Sequence, residues 1–126
     1  MVSTKFSKRQ HLLKDDDFKA VLRDPPFKAS HKYLLVLAKP NDTKISATAR
    51  LGLVIAKKNV RLAVKRNRIK RLIRESFRLQ QHHLVGIDAI VLARRGVDQQ
   101  SNRAIFNAIN EQWVIIRKKA RRITVT

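Results

Sequence analysis

Between Lys57 and Arg78 the chain reads KKNVRLAVKRNRIKRLIRESFR, ten Lys/Arg and a single acid, Glu75, laid over a hydrophobic repeat of helical period. At 3.6 residues per turn, Leu62, Ile69, Leu72, Ile73, Phe77 and Leu79 gather on one side, and Asn67, Arg68, Lys70, Arg71, Arg74 and Arg78 on the other. The spacing predicts a helix over about residues 61–80. Such a helix needs an apolar surface against its first face and leaves the second without counter-charge. A solvated face is the ordinary reading of a lysine run, but solvated faces mix signs. This one is almost purely positive and rich in arginine, whose planar fork suits bidentate phosphate contacts. It reads as a polyanion-binding surface.

The rest of the composition supports that reading. With 126 residues, 44% of them hydrophobic, residues 1–126 fit one domain around one core. A net charge of +20 opposes compaction by self-repulsion, which points to a standing polyanionic partner, nucleic acid first. A membrane surface is the competitor, yet the longest apolar run, Tyr33–Ala38, is strand-sized and far short of the ~20 residues that span a bilayer. The opening MVSTKFSKRQH has basic residues without a following apolar stretch, so no secretory signal is expected and the predicted location is cytoplasmic. The chain has no cysteine. His82 and His83 are adjacent, and His11 and His31 stand apart, so no metal site is expected.

Residues 1–11 are expected to form a basic arm. Asp15-Asp16-Asp17 then mark the start of a short helix, any of them able to cap it, with Phe18, Val21 and Leu22 on one face and Asp24-Pro25-Pro26 as its stop. Three neighbouring aspartates could also suggest a metal cluster, but capping and dipole compensation account for them without one. Lys32–Lys39 reads as a strand, Pro40–Thr43 as a turn, and Ile45–Ala49 leads to a second strand, Leu51–Ala56, expected to lie antiparallel beside the first. After the basic helix, Gly86 introduces an apolar strand, Ile87–Ala93, and the long connection fits a helical crossover. Ile105, Ile109, Trp113 and Ile116 form the core-facing stripe of a last helix beginning near Ser101. Trp113 therefore reads as core rather than as a base-stacking platform. Residues 117–126 form a second basic segment, either a frayed polyanion-binding end or a solubilising tail. The order helix–strands–basic helix–strand–helix describes a compact α+β domain.

An autonomous nuclease needs carboxylates gathered around metal ions, or an acid–base pair at the scissile phosphate. Nine acids, three at one helix start and the rest scattered, supply neither, and three glycines form no phosphate loop. The chain reads as a binder. No Cys/His finger, heptad zipper or helix-turn-helix accompanies the basic helix, which leaves DNA without its usual modules. RNA recognition uses shape, backbone contacts and exposed aromatics, for which Phe18 and Tyr33 are candidates alongside their alternative role as core. A ribosomal or RNA-chaperone protein stays open as the alternative class.

The run Ala63-Val64-Lys65-Arg66-Asn67-Arg68-Ile69-Lys70-Arg71-Leu72-Ile73-Arg74-Glu75 closely resembles the RNR motif of the bacterial ribonuclease P protein subunit. The resemblance extends through Arg50–Asn59 and Ile87–Arg94, reaches Leu12-Leu13 and Phe18, and covers about residues 6 to 117. It implies a single-domain α/β sandwich with a left-handed crossover through the basic helix, a handedness that pattern reasoning does not supply. It also implies an accessory subunit of a ribonucleoprotein endonuclease that removes the 5′ leader of precursor tRNA, with catalysis by the RNA subunit and its Mg2+ ions. Carried over by position, Lys57, Lys58, Arg61, Lys65, Arg66, Asn67, Arg68, Lys70, Arg71 and Arg74 are expected to contact the catalytic RNA. Phe18 and Tyr33 match aromatic positions of the family's leader-binding cleft, whereas Leu22 and Val36 stand where some members carry aromatics.

Overall fold

The computed structural model describes residues 13–41 and 48–124, so the basic arm expected over 1–11 and most of the segment expected from Ile45 lie outside the described residues. Helix α1 spans Asp15–Arg23, and strands β1, β2 and β3 span Phe27–Ser30, Leu34–Pro40 and Arg50–Val54. Helix α2 spans Ala63–Gln80, strand β4 Ile87–Ala93 and helix α3 Asn102–Thr124, with single 3-10 turns at Gln81–His83 and Val97–Gln99. The four strands form one sheet in the order β1-β2-β4-β3.

That order corrects the expectation that the second and third strands are antiparallel neighbours. Strand β4 lies between them, antiparallel to β2 with Leu34 opposite Ala93, and parallel to β3 with Leu51 opposite Ala89. The reason is burial. Every residue of β4 except Leu92 is buried, and a strand apolar on both faces belongs in the middle of a sheet, whereas β2 alternates buried and half-buried residues. The short edge strand β1 was not expected either. Its FKAS alternation puts Phe27 and Ala29 inward and leaves Lys28 and Ser30 exposed, which blunts a free edge.

One face of the sheet carries the main core. Leu34, Val36 and Ala38 of β2 with Ala89, Val91 and Ala93 of β4 meet Ile69, Ile73 and Phe77 of α2 and the predicted stripe Ile105, Ile109, Trp113 and Ile116 of α3. Val36 is fully buried here and so cannot line the opposite face. Leu62 and Leu79, expected on the buried side of α2, are exposed. Leu62 precedes the helix as its N-cap, and Leu79 lies on the order of 120° round the helix from the Ile69–Ile73–Phe77 seam. The segment expected as a basic tail from 117 continues α3 as helix through Thr124.

The contacts joining α2 to α3 fix their relative direction. Arg68 reaches Asn102 and Ser76 reaches Asn110, in each case 34 residues apart, so the two helices run side by side in the same direction. Midway, Trp113 packs edge-on against Phe77 at 5.7 Å between ring centroids and donates its indole N–H to Ser76 Oγ at 2.9 Å. Ser76 donates its own hydroxyl hydrogen bond to Asn110 Oδ1, which completes a polar chain inside the seam. On the other face of the sheet lies α1. The Phe18 ring rests on Gly52, where a Cβ would stand 2.6 Å from Phe18 Cε2, so only glycine admits this contact. None of the three aspartates caps α1: the N-cap is Lys14, and the acids occupy the first turn, where they oppose the helix dipole. Asp17 also accepts from Arg50 at 2.9 Å, and Arg50 meets buried Asp88 through two bonds of 2.8 and 2.7 Å. The paired carboxylates hold the Arg50 guanidinium above its ordinary pKa, against the opposing effect of its own burial.

Removing the hydroxyl of Ser76 strands the indole N–H of Trp113 in the core. Ser76→Ala is expected to lower unfolding stability by about 1–3 kcal/mol in urea titration, with little change in the slope against denaturant.

Candidate nucleic-acid interface

Because α2 and α3 run the same way, their N-termini share one end of the molecule. Neither has an acid in its first turn, and the N-cap of α2, Leu62, offers no side-chain acceptor. The N–H groups of the first turn of α2 thus lack a side-chain cap, and the positive ends of two helix dipoles add to the local cationic charge. A groove of about 660 Å3 runs along this end, lined by Val64, Lys65, Asn67, Arg68, Arg71 and Asp98. It adjoins a second hollow of about 530 Å3 lined by Lys58, Asn59, Arg61, Leu62, Lys65 and Asp98. Backbone donors, dipoles and cations converge here as they do at phosphate sites.

Of the ten residues expected to touch RNA, Lys58, Arg61, Lys65, Asn67, Arg68 and Arg71 line this composite groove. Lys57 and Arg74 are exposed outside its lining. Lys70 is half-buried and is not among the lining residues, though it follows groove-lining Asn67 by three residues, about 60° round the helix. Arg66 turns back toward the chain that precedes α2 and donates to the carbonyls of Val60 at 3.0 Å and Arg61 at 2.9 Å. Arg68 bridges to the other helix through Asn102 Oδ1 at 2.8 Å and the carbonyls of Asp98 and Gln100 at 3.2 and 3.4 Å. Both arginines therefore build the site as well as charging it. Glu75 is taken up by Arg78 at 2.5 and 3.1 Å, and these hydrogen bonds hold the carboxyl below the usual range. The one acid of the helix is thereby neutralised without drawing on the groove.

Sequence reasoning missed three members of the site. Asn59 anchors the loop before α2 by donating to the Ala93 carbonyl at 3.0 Å, and its signal was its place directly after Lys57-Lys58. Val64 is 72% exposed and lines the groove, where its place in a helical motif had suggested nothing but propensity. Asp98 supplies an acid to an otherwise basic lining, and only the tertiary fold brings it there.

The two aromatics stand apart from this groove. Phe18 is half-buried between α1 and β3. Tyr33 lies just before β2, its ring 3.0 Å from where a Cβ on Gly96 would sit; its N–H donates to His31 Nδ1 at 3.1 Å, and Lys32 Nζ stands 5.5 Å from the ring centroid. Gly96 has φ +96°, a backbone region that favours glycine. Gly52 beneath Phe18 is level across the sheet with Ile90 and Leu37, two strands away from β2 and four residues along it from Tyr33, about 13 Å in the strand direction. Between Phe18 and Tyr33, Leu35, Leu37 and Leu92 remain only half-buried on the face that α1 partly covers. Leu22 is exposed on α1. Among the described residues no group of three or more His, Asp or Glu converges as a metal site, and no helix is long and apolar enough to cross a membrane.

Known proteins resemble this chain over nearly its whole length. The family model for ribonuclease P matches residues 6–117. The ribonuclease P protein component of Saccharophagus degradans is 49% identical over 121 residues, 96% of this chain and 87% of that one. That of Chromohalobacter salexigens is 48% identical over 120 residues, 95% and 91% of the two chains. Among solved structures, the RNase P protein of Staphylococcus aureus superposes with a TM-score of 0.73 at 29% identity, covering 84% of this chain and 94% of that one. The Thermotoga maritima RNase P protein gives 0.68 at 26%, covering 87% and 97%.

Arg68 and Arg71 are the same residue type one turn apart but differ in role, which three substitutions separate. Arg71→Ala is expected to leave stability within about 0.5 kcal/mol and weaken RNA binding. Arg68→Ala is expected to weaken binding and also cost about 1–3 kcal/mol of stability, because the carbonyls of Asp98 and Gln100 lose their charged donor. Arg68→Lys restores the charge without the fork and should not restore stability. Urea unfolding beside RNA titration distinguishes these outcomes.

Proposed function

The chain belongs to the ribonuclease P protein family, the accessory protein components of an endoribonuclease of tRNA 5′ maturation, and on that premise we propose how its surfaces divide the work. The groove at the joint N-termini of α2 and α3 docks on the catalytic RNA. The half-covered face of the sheet beside α1 receives the single-stranded 5′ leader of precursor tRNA. The observation that carries the reading is the groove: Lys58, Arg61, Lys65, Asn67, Arg68 and Arg71, spread over 14 residues of sequence, line one continuous surface under two helix N-termini.

The division of labour follows from the chemistry. Cations on a preformed groove bind phosphates largely without regard to base and release condensed counterions. The side chains contribute docking and positioning, not bond cleavage, and Mg2+ with the cleavage step is assigned to the RNA subunit. On the sheet face, a leader strand would meet half-buried leucines with Phe18 and Tyr33 at its two ends. Stacking there is indifferent to base identity and is absent for mature tRNA, which lacks the leader. On this reading the protein works in the cytoplasm beside its RNA.

Reconstitution tests the reading directly. Added to a bacterial ribonuclease P RNA at low magnesium, the protein is expected to raise precursor-tRNA cleavage, whereas the protein with magnesium alone leaves the substrate intact. Neutralising Arg61, Lys65 and Arg71 together to Gln should reduce the slope of log affinity against log salt by about 2 to 3, at 0.7–0.9 per lost phosphate contact. An unchanged slope in a folded variant means that the groove does not meet the RNA.

The leader surface has its own test. Shortening the leader to one nucleotide should remove most of the protein's effect on substrate affinity, at about 1–3 kcal/mol for each stacked base lost. Phe18→Ala and Tyr33→Ala should weaken long-leader substrates and spare short ones, with thermal unfolding measured beside each because Phe18 also packs on Gly52. If leader length has no effect on affinity, the sheet face has no part in substrate choice.

A further inference from the structure

Among the described residues one acid lines the basic groove, and phosphate docking gives it no task. Asp98 lines both hollows, so it sits where they join. Its backbone is fixed from α2, because Arg68 donates to the Asp98 carbonyl at 3.2 Å. Its carboxylate is not taken up in the same way. Among the described residues no hydrogen bond or ion pair engages it, although Lys58, Lys65 and Arg68 line the same hollows. Nor does it cap a helix. Ser101 caps α3, its Oγ accepting from the Ala104 N–H at 3.1 Å, and the 3-10 turn that contains Asp98 is three residues long. In the larger hollow with it is Val64, 72% exposed, one turn before Arg68 and about 40° from it round α2.

Phosphate oxygens only accept hydrogen bonds, and so does an ionised carboxylate. Asp98 therefore pairs with the parts of RNA that donate, the 2′-hydroxyl and the N–H groups of the bases. Its two oxygens lie side by side and match two parallel donors, as they do when a carboxylate meets a guanidinium. Among the bases only guanine presents such a pair on its Watson–Crick edge, N1–H beside N2–H. Adenine and cytosine set one donor beside an acceptor, and uracil sets one donor between two acceptors. In a duplex the guanine pair is already occupied, so the base that meets Asp98 is unpaired. An exposed aliphatic side chain gains by covering itself with the flat face of a base rather than with a phosphate, which gives Val64 a part in the same contact.

We propose that Asp98 is a specificity-determining residue of the groove: it accepts the N1–H and N2–H of an unpaired guanine in the catalytic RNA, whose face rests on Val64 while neighbouring phosphates meet Lys65 and Arg71. The proposal rests on the RNA-docking reading above and adds base recognition to a surface that otherwise reads only charge. The structural alternative is that Asp98 merely tempers the repulsion among the groove's cations, as exposed acids among lysines do at little net effect on stability. The two differ in sign. A tempering acid opposes the polyanion, so its removal tightens binding, whereas removal of a base-reading acid weakens it.

The test uses the full chain, a bacterial ribonuclease P RNA and kethoxal, a reagent that modifies guanine where N1 and N2 are free. The wild-type protein is expected to protect a guanine of the catalytic RNA that reacts in the RNA alone, and if it protects none the inference is overturned. Asp98→Ala at saturation should leave that guanine reactive. It should also bind about five- to one-hundred-fold more weakly, the worth of one bidentate base contact, with an unchanged salt slope because no phosphate contact is lost. Tighter binding with a steeper slope means charge tempering only and overturns the proposal, as does protection that persists in the variant. A further arm needs no protein variant: inosine at the protected position lacks N2–H, and the wild-type protein should bind that RNA more weakly. Equal binding of the guanine and inosine RNAs overturns the proposal even if Asp98→Ala fails to fold. Equal weakening of both RNAs by Asp98→Ala means that the carboxylate meets a 2′-hydroxyl or a hydrated metal ion, which overturns the guanine assignment. The groove variant Arg61→Gln, Lys65→Gln, Arg71→Gln is titrated beside these. If it weakens binding while Asp98→Ala does not, only this inference falls. If neither weakens binding, or if the protected guanine belongs to added precursor tRNA instead of the catalytic RNA, the docking reading falls with it.

Discussion

The packing of α2 beside α3 in the same direction decides where everything else lies. It is set by a crossover from β3 to β4 and fastened inside by the Phe77–Trp113 contact and the Trp113–Ser76–Asn110 hydrogen bonds. An antiparallel pair would put opposite dipole ends together and cancel them. The parallel pair puts two positive ends at the motif arginines and two negative ends beneath Arg117, Arg121 and Arg122, so one packing choice creates both cationic regions. The buried polar bonds matter for register. Slipping α3 by one turn against α2 would leave Ser76, Asn110 and the indole without partners, a penalty that apolar packing alone does not impose.

A chain of +20 has few acids to spend, and their placement follows a pattern. Asp17 and Asp88 converge on Arg50, joining α1, β3 and β4 with one guanidinium, and Asn41 adds a bond to Asp88 at 3.1 Å. Glu75 is held by Arg78, and the first-turn acids of α1 oppose that helix's dipole. Among the described residues, no acid but Asp98 lines the basic groove. These described acids fasten the fold outside the basic lining, and the unopposed repulsion is left where a polyanion can relieve it. A ligand bound only by the folded state stabilises that state by mass action, so the partner's phosphates complete the electrostatics of the domain.

How much of this was legible in the sequence depends on which physical rule governed each element. The helix α2, the stripe Ile105–Ile109–Trp113–Ile116 and the strand Ile87–Ala93 follow from hydrophobic period, a local property, and appear where the pattern put them. Strand order is a long-range property. The uninterrupted apolar run of β4 carried the information that it is central, but the more familiar inference from adjacency in sequence prevailed. Leu62 and Leu79 failed because a helical wheel assigns every apolar residue to one face, whereas the buried seam of α2 is narrow and Leu62 lies before the helix begins. The basic groove was legible as a list of residues but not as a surface. Nothing local shows that Arg68 crosses to the start of α3 or that Gly52 is a bearing surface for Phe18.

The double use of Arg66 and Arg68 ties folding to recognition. Each guanidinium spends some donors on backbone carbonyls of the surrounding loops and keeps its charge near the groove. Arg66 reaches both of its carbonyls through one terminal nitrogen, but Arg68 uses both, a planar fork that lysine lacks, so position 68 requires arginine for shape and tolerates no simple exchange of charge. From the loops they hold, Val60–Arg61 and Asp98–Gln100, the groove takes Arg61 and Asp98 as lining. The cations that attract the phosphate therefore also shape the cavity that receives it. An RNA that drew either guanidinium away from its carbonyls would loosen its own binding site. On the proposed docking, contacts fall to the arginine edges left free, and Lys58, Arg61, Lys65 and Arg71 adapt to the backbone of the RNA.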